Sequence, residues 1–146
     1  MALYYDSSLL LSAILEEDRD INFAAAWDDV TIRLSSNLLQ IECIIGIRKA
    51  GDILNMSPDD EWTSHRIDLL DRYFDGIHFK NMDSSIEKII RDNPAIAHCR
   101  SLDAIHLATA LYFKPNLDEP LHMGSLDQRF RTAAGDLGFE LFPEND

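Results

Sequence analysis

The sequence predicts a three-layer α/β/α fold, in which helices cover both faces of a central, mostly parallel sheet. Short apolar runs that fit buried strands alternate with longer segments of helical periodicity, as in sheets of this kind. The chain has 146 residues, of which 46% are hydrophobic, and this is enough for an independent core. No repeat, low-complexity tract or Gly/Ser linker divides it, so we expect a single domain over residues 1–146.

The predicted strands are short apolar runs between turn signals. They cover residues 2–5, 31–34, 77–79, 121–123 and 139–142. Segments of helical periodicity separate each strand from the next, which favours parallel pairing. Because ligands of parallel sheets collect beyond the carboxyl ends of the strands, the residues just after each run are the first candidates for a functional site.

The predicted helices begin near residues 7, 23, 36, 58, 84, 103 and 127. The first covers residues 7–16. Ser35 or Ser36 is placed to cap the third helix and Gly51 to end it. The fourth helix opens on a proline followed by acidic residues, which are favourable near its positive end.

Four acidic residues stand against or inside apolar segments, where surface acids are not expected: Asp6, Glu42, Asp103 and Asp127. Glu42 falls at helical spacing from Leu38 and Ile45, with Ile41 beside them, on what we interpret as the apolar side of the third helix. A carboxylate held against a core loses hydration and is rarely kept there without a partner. The four acids therefore predict one shared acidic pocket, for which a divalent cation is the natural partner.

Each of these acids also has a simpler interpretation. Asp6, Asp103 and Asp127 precede or open predicted helices, where an aspartate often serves only as a cap. Glu42 is harder to explain in this way because it lies within a helix. The two interpretations differ in whether the acids converge in space.

The formal net charge is −13, from 26 acidic and 13 basic residues. Such a balance argues against loose, charge-driven binding to nucleic acid, which needs Lys and Arg to displace counterions. A nucleic acid substrate is still compatible with it, because a metal-filled acidic pocket can bind a phosphodiester locally. A basic partner protein fits the overall charge, and simple solubility is the alternative explanation.

The remaining composition favours a cytoplasmic protein without a membrane partner. No apolar run approaches the length of a membrane span, and Asp6 falls where a signal sequence would be apolar. Two cysteines cannot build a disulfide framework, and we interpret Cys43 as a small buried hydrophobe.

Four segments carry the acids in a fixed order and on fitting element types. Residues 4–8 combine an apolar strand, an acid and small hydroxyl residues, and residues 41–45 place an acid early in a helix. Residues 100–110 form the strongest of the four motifs, and in residues 125–130 a hydroxyl residue precedes the acid by two places. Together these segments resemble the PIN domain family and, within it, the VapC-type ribonuclease toxins.

The resemblance implies an endoribonuclease that depends on Mg²⁺ or Mn²⁺. Carried over to this sequence, it makes Asp6, Glu42, Asp103 and Asp127 the catalytic acids. We expect Asp6 and Asp103 to be the principal metal ligands, with Glu42 and Asp127 completing the cluster directly or through water. This agrees with the chemistry of hard divalent cations, which prefer carboxylate oxygens.

Three further residues are candidates around the acids. The resemblance gives Ser8 and Ser125 the task of orienting an acid or the substrate phosphate, although either could instead be a helix cap. Arg100 could contact the RNA phosphate, as could Arg48 and Lys49, with solvated surface charge as the default for all three. His106 lies one position off the axis through Asp103 and Leu107, so it could reach the edge of the pocket, but we interpret it as a core or interface histidine and not as a general base.

By the same resemblance, the protein is expected to be the toxin of a toxin–antitoxin pair and a homodimer. The cognate antitoxin would lay a helix or arm into a groove leading to the acids, and an arginine of that arm could replace the metal's charge. The alternatives are a solitary PIN-domain nuclease of RNA processing and a PIN-fold binding module with little turnover. Phosphate-transfer folds that also place acids at strand ends fit less well, since one of them requires an acid where Ser8 stands.

Overall fold

Five parallel strands form the centre of the structure, a computed structural model that describes residues 1–15 and 23–144. The strands are β1 (Ala2–Tyr5), β2 (Ile32–Ser36), β3 (His78–Lys80), β4 (Leu121–Gly124) and β5 (Glu140–Phe142). Their order across the sheet is β3-β2-β1-β4-β5, and each neighbouring pair is parallel. All five predicted strands are therefore present, with ends within two residues of the prediction.

Seven α-helices in the described residues connect and flank these strands. They are α1 (Ser7–Leu15), α2 (Phe23–Asp29), α3 (Leu38–Ile53), α4 (Glu61–Asp75), α5 (Ser84–Asp92), α6 (Ser101–Phe113) and α7 (Gln128–Asp136). Short 3₁₀ turns at Pro94–His98 and Lys114–Asn116 flank α6. The first predicted helix is described as far as Leu15, and its last predicted residue, Glu16, lies outside the described residues.

The alternation of side chains along β1 divides the core into two layers. Leu3 and Tyr5 pack on one face of the sheet with α1, α3 and α4. Ala2 and Tyr4 pack on the opposite face with α6 and α7. All four side chains are at most 1% exposed, as expected for the central strand of a sheet covered on both sides. The predicted three-layer α/β/α fold is confirmed.

The bounds of α3 differ from the prediction at both ends. Ser36 is the last residue of β2, and its hydroxyl accepts a hydrogen bond from the backbone N–H of Leu38, where the helix begins. The helix does not end at Gly51 but continues to Ile53. Gly51 is buried, and a Cβ there would lie 3.4 Å from the ring of Trp62. Close packing against α4 thus explains this glycine better than a helix end does.

The buried face of α3 also differs from the predicted one. Leu38 is buried as expected, but Ile41 and Ile45 are 56% and 46% exposed. The fully buried side chains of this helix are Leu39, Cys43 and Ile47. They pack on the same face of the sheet as Leu3 and Tyr5. Glu42 therefore lies at the edge of the core and not in the middle of an apolar face. Cys43 is buried as predicted.

The carboxyl ends of β1 and β4 lie side by side and position the segments that follow them. Tyr5 is opposite Gly124 in the parallel register, and the backbone N–H of Asp6 donates to the Gly124 carbonyl over 2.9 Å. Asp6 starts the turn into α1, and residues 125–127 lead into α7. This junction brings two chain-distant acidic segments to one edge of the sheet.

We expect the Gly124→Ala variant to be destabilised by about 1–3 kcal/mol, because added volume in a packed site forces backbone shifts. A Cβ at Gly124 would lie 2.9 Å from the Tyr4 carbonyl oxygen and 2.7 Å from a Leu9 methyl group. Gly135→Ala at an exposed position of α7 is the matched control, since its Cβ would meet only Leu141 at 4.0 Å. That change should stabilise the protein by about 0.4–1 kcal/mol. Urea unfolding measures both, and equal effects would contradict the close approach of β1 and β4.

None of the helices in the described part of the chain combines the length and apolar content that a bilayer crossing requires.

Candidate functional site

Asp6 lies at the carboxyl end of β1, where its carboxylate is 6% exposed. The hydroxyls of Ser8 and Ser125 both lie within hydrogen-bond distance of Asp6 Oδ2, at 2.8 and 2.7 Å. The Ser8 oxygen accepts the backbone N–H of Leu126, and the Ser125 oxygen accepts that of Asp127. Because each hydroxyl oxygen already accepts a backbone proton, its own proton is free to point at Asp6. The two serines hold the carboxylate in one orientation, with Oδ1 free of hydrogen bonds among the described residues.

Glu42 reaches the same edge of the sheet from α3. One oxygen each from Asp6 and Glu42 and one ring nitrogen of His106 lie within 4.8 Å of one another. The Glu42 side chain is 20% exposed, whereas the His106 side chain is 1% exposed. Glu42 thus has access to solvent on one side and a buried histidine on the other.

A directed chain of hydrogen bonds leads from the core to Glu42. The Ser36 backbone N–H donates to the Tyr4 hydroxyl over 3.1 Å, and that hydroxyl lies 2.7 Å from Nδ1 of His106. Burial raises the pKa of the Tyr4 phenol well above its usual range, so the hydroxyl stays protonated and donates to Nδ1. We therefore assign the neutral tautomer of His106 in which Nε2–H donates to Glu42 Oε1, 2.5 Å away. This chain fixes the orientation of Glu42.

Asp103 and Asp127 lie beside Arg100. Nε of Arg100 is 3.2 Å from Asp103 Oδ2, and Nη2 is 3.0 Å from Asp127 Oδ2. Asp103 is the third residue of α6, and Asp127 caps α7 by accepting the N–H groups of Arg129 and Phe130. The capping interpretation is thus correct for Asp127, but the same side chain also contacts the arginine.

The electrostatics link Asp103 to the other acids. Burial raises the pKa of the Asp103 carboxyl, Arg100 lowers it, and the negative charges of Asp127 and Asp6 raise it further. The hydrogen bonds show the same proximity. Ser125 bonds both the Asp6 carboxylate and the Asp127 backbone N–H, and Arg100 joins Asp127 to Asp103. Asp6 in turn lies within 4.8 Å of Glu42. All four predicted acids therefore lie at one edge of the sheet, although Glu42 and Asp6 form one contact group and Asp103, Asp127 and Arg100 the other.

The donor set fits a hard divalent cation. Carboxylate oxygens are the ligands that Mg²⁺ and Mn²⁺ prefer, and Mg²⁺ usually takes only one or two of them directly. Asp6 and Glu42 offer converging oxygens, and Asp6 Oδ1 carries no competing hydrogen bond among the described residues. Asp103 supplies a third carboxylate that is 17% exposed. The outer ring nitrogen of His106 is already hydrogen-bonded to Glu42. We therefore interpret His106 as the hydrogen-bond partner of Glu42 rather than as a metal ligand.

The contact of His106 with Glu42 is the part of the site that sequence reasoning missed. His106 is a core histidine, as predicted, but its outer nitrogen contacts a candidate catalytic acid. A sequence signal was present, because His106 lies three residues after Asp103, which places both on one side of α6.

The basic residues considered for RNA contact occupy different places. Arg100 contacts the two aspartates described above and is 57% exposed. Lys49 lines a cleft of about 430 Å³ that also includes Ser8 and Asp127. Arg48 lines a separate, smaller cleft with Met56 and Pro58. Lys49 and Arg100 therefore border the acids, and Arg48 does not.

Comparison with known proteins agrees with this arrangement. No curated protein and no solved structure gives a significant match to the chain. The model of the PIN domain family matches residues 3–135, a stretch that contains all four acids, both serines and Arg100. With this match, on an all-parallel five-stranded sheet whose acids collect at one edge, the chain belongs to the PIN domain family.

Proposed function

We propose that this protein is a metal-dependent endoribonuclease and the toxin component of a type II, VapBC-like toxin–antitoxin system. PIN domains are generally metal-dependent nucleases, so family membership by itself suggests nuclease activity. The observation that carries the proposal is the convergence of Asp6 and Glu42, with one oxygen of each within 4.8 Å of the other. Acids from β1 and α3 that meet in this way repel each other unless a cation or proton offsets their charge.

The metal would be held principally by Asp6 and Asp103, with Glu42 and Asp127 completing the site directly or through water. A bound Mg²⁺ or Mn²⁺ supplies a coordinated water of lowered pKa and stabilises charge on the phosphate oxygens. Its ligands need a fixed orientation, because hydrogen bonds behind the ligands tune metal affinity.

The chain's other residues orient these acids and balance their charge. Ser8 and Ser125 hold Asp6 by hydrogen bonds of 2.8 and 2.7 Å, and His106 holds Glu42. Arg100 offsets the charge of Asp103 and Asp127 and is exposed enough to contact an incoming phosphate. These contacts pre-organise the acids without any rearrangement of the sheet.

The surface properties support a protein partner as well as RNA. A net charge of −13 favours a basic antitoxin segment, since charge complementarity speeds association and excludes wrong partners. Ile41, Ile44 and Ile45 of α3 are exposed and offer apolar surface for a homodimer or an antitoxin. A solitary nuclease of RNA processing would lack the antitoxin, and a gene for a small DNA-binding protein beside this one would favour the toxin.

Purified protein should cleave single-stranded RNA in Mg²⁺ or Mn²⁺, and EDTA should abolish cleavage until the metal is restored. The expected products carry 5′-phosphate and 3′-hydroxyl ends, which ligation to an adaptor detects directly. Cleavage that persists in EDTA would contradict the metal-dependent mechanism. A folded protein that cleaves no RNA with either metal would favour the binding-module alternative.

A further inference from the structure

A second cleft opens beside the acids and is not used by the chemistry described above. It has a volume of about 580 Å³ and lies between α7 and the segment that leads into α6. We call it the α7 cleft and define it by Cys99, Arg100, Asp103, Gln128, Thr132 and Ala133. Arg100 and Asp103 belong both to this cleft and to the acidic site, so the cleft borders the acids.

The size and walls of the α7 cleft fit a flat, polar-edged ligand. Pockets for small molecules in proteins usually have volumes of about 300–1,000 Å³. Gln128, Thr132 and Asp136 succeed one another at intervals of four residues, so they form one polar row along α7. Ala133 and Leu137 form an apolar strip next to this row. The cleft therefore offers apolar surface for a ring together with donors and acceptors for its edge.

The charge of the protein limits how RNA can approach this edge of the sheet. A chain with a net charge of −13 repels a polyphosphate over most of its surface. The lining of the α7 cleft includes two arginines, Arg100 and Arg129, and two aspartates, Asp103 and Asp136, so its charges balance while most of the protein surface is acidic. The two guanidinium groups are where a phosphate next to the scissile bond finds cationic side chains, and the base attached to it can then enter the cleft.

We propose that the α7 cleft binds one unstacked nucleotide of single-stranded RNA next to the cleaved bond and thereby sets the cleavage-site preference. Proteins that read single-stranded RNA splay bases out of the stack and bind their edges by hydrogen bonds. Gln128 and Asp136 read the edge of the base, and the apolar strip contacts its face. The inference rests on the proposed ribonuclease function and adds the subsite that selects among RNA sequences.

The thiol of Cys99 provides a native reporter of this occupancy. Cys99 lines the cleft and is partly exposed, whereas the other cysteine, Cys43, is fully buried. Burial and the nearby Asp103 charge raise the pKa of the Cys99 thiol, so labelling with a maleimide is done in mildly alkaline buffer. A Cys99→Ser variant confirms which cysteine reacts.

In the first experiment, the Asp6→Asn protein is labelled with and without a single-stranded RNA oligonucleotide, whose binding is followed by fluorescence anisotropy. RNA at about ten times its Kd leaves about one protein molecule in eleven without bound RNA. The rate of Cys99 labelling should therefore fall about tenfold. RNA that binds without slowing the labelling overturns the nucleotide pocket and leaves the nuclease assignment intact. Failure to bind any RNA overturns both proposals.

The same reporter tests a second copy of the chain as the occupant. If a homodimer covers the α7 cleft, Cys99 is slow to react without RNA and becomes faster to label as the protein is diluted. That result overturns the nucleotide pocket in favour of a protein interface. Labelling that is independent of protein concentration, and slowed only by RNA, supports the pocket.

In the second experiment, Thr132→Trp fills the cleft, and Ser64→Trp at an exposed position of α4 adds the same bulk elsewhere. Both proteins are given a randomised single-stranded RNA pool, and the cut sites are sequenced. Thr132→Trp should change the preference for the nucleotide beside the cut by about tenfold, as expected when a pocket contact is gained or lost. Ser64→Trp should reproduce the wild-type profile. Identical profiles for the two variants would overturn the proposal.

Discussion

Replacing Asp6 with Asn should lower the rate of RNA cleavage by at least about 10²–10³-fold, the usual loss when one preorganised electrostatic group is removed. Ser8 and Ser125 both donate to Oδ2 of Asp6, so the amide oxygen of the Asn takes that position. The amide NH₂ group is then left at the position of Oδ1, the oxygen that accepts no hydrogen bond among the described residues. A donor thus replaces an oxygen that we propose as a metal ligand.

The same substitution should leave the fold intact. Two unit charges about 4 Å apart repel by about 4 kcal/mol at an effective dielectric constant near 20, and Asp6 is one source of the raised pKa of Asp103. Removing this charge relieves repulsion, so the free energy of unfolding should be unchanged or slightly higher. Thermal unfolding and Mn²⁺ titration separate the two effects, since metal affinity falls while stability does not.

Two further variants complete this test. Asp103→Asn should lose cleavage in the same way, because it removes the other ligand that we propose for the metal. Asp71→Asn on the exposed side of α4 is the matched control and should cleave RNA like the wild type. Cleavage near the wild-type rate in both Asp6→Asn and Asp103→Asn would end the assignment of the acids. Loss of cleavage together with loss of folded structure would make Asp6 a structural residue.

The sequence was informative about the site wherever function depends on the end of a strand. β1 and β4 are short apolar runs, and Asp6 and Asp127 follow them closely in the chain. Parallel pairing then brings both acids to one edge, because parallel strands all end on the same side of a sheet. This reasoning uses only local patterns and a general rule, so it needs no knowledge of side-chain packing.

The contact between Glu42 and His106 could not be predicted in this way. The two residues are 64 positions apart, and their contact depends on how α3 and α6 pack across the edge of the sheet. Ile41 and Ile45 misled the assignment of the buried face of α3, because an apolar surface patch and a core face look alike in sequence. Gly51 misled the assignment of the helix end, since its packing against Trp62 overrides its usual role as a helix stop.

Replacing Tyr4 with Phe should weaken both the fold and the metal site, although Tyr4 is not one of the acids. The change keeps the ring in its packed position and removes only the hydroxyl that joins Ser36 to His106. A buried N–H and a ring nitrogen then lack partners, which costs about 1–3 kcal/mol in the free energy of unfolding. Urea unfolding of the variant measures this loss.

The larger effect of Tyr4→Phe should appear at Glu42. Without the Tyr4 proton at Nδ1, the tautomer of His106 is no longer fixed, and Glu42 loses its orienting donor. Loss of the hydrogen bond that orients a metal ligand typically lowers metal affinity by about 10–100-fold. Mn²⁺ titration should show a decrease of that size. The ¹⁵N shifts of His106 should indicate Nε2–H in the wild type and a mixture of tautomers in the variant.

Tyr5→Phe is the matched control, because Tyr5 follows Tyr4 in β1 and its buried hydroxyl interacts with the Arg33 guanidinium and not with His106. That hydroxyl has no hydrogen bond of normal geometry in the described residues, so its removal should change stability less than Tyr4→Phe does, and the metal site should keep its affinity. Equal loss of Mn²⁺ affinity in both variants would refute the chain from Tyr4 through His106 to Glu42. A loss confined to Tyr4→Phe would instead show that a residue on the opposite face of β1 from Tyr5 controls an acid contributed by α3.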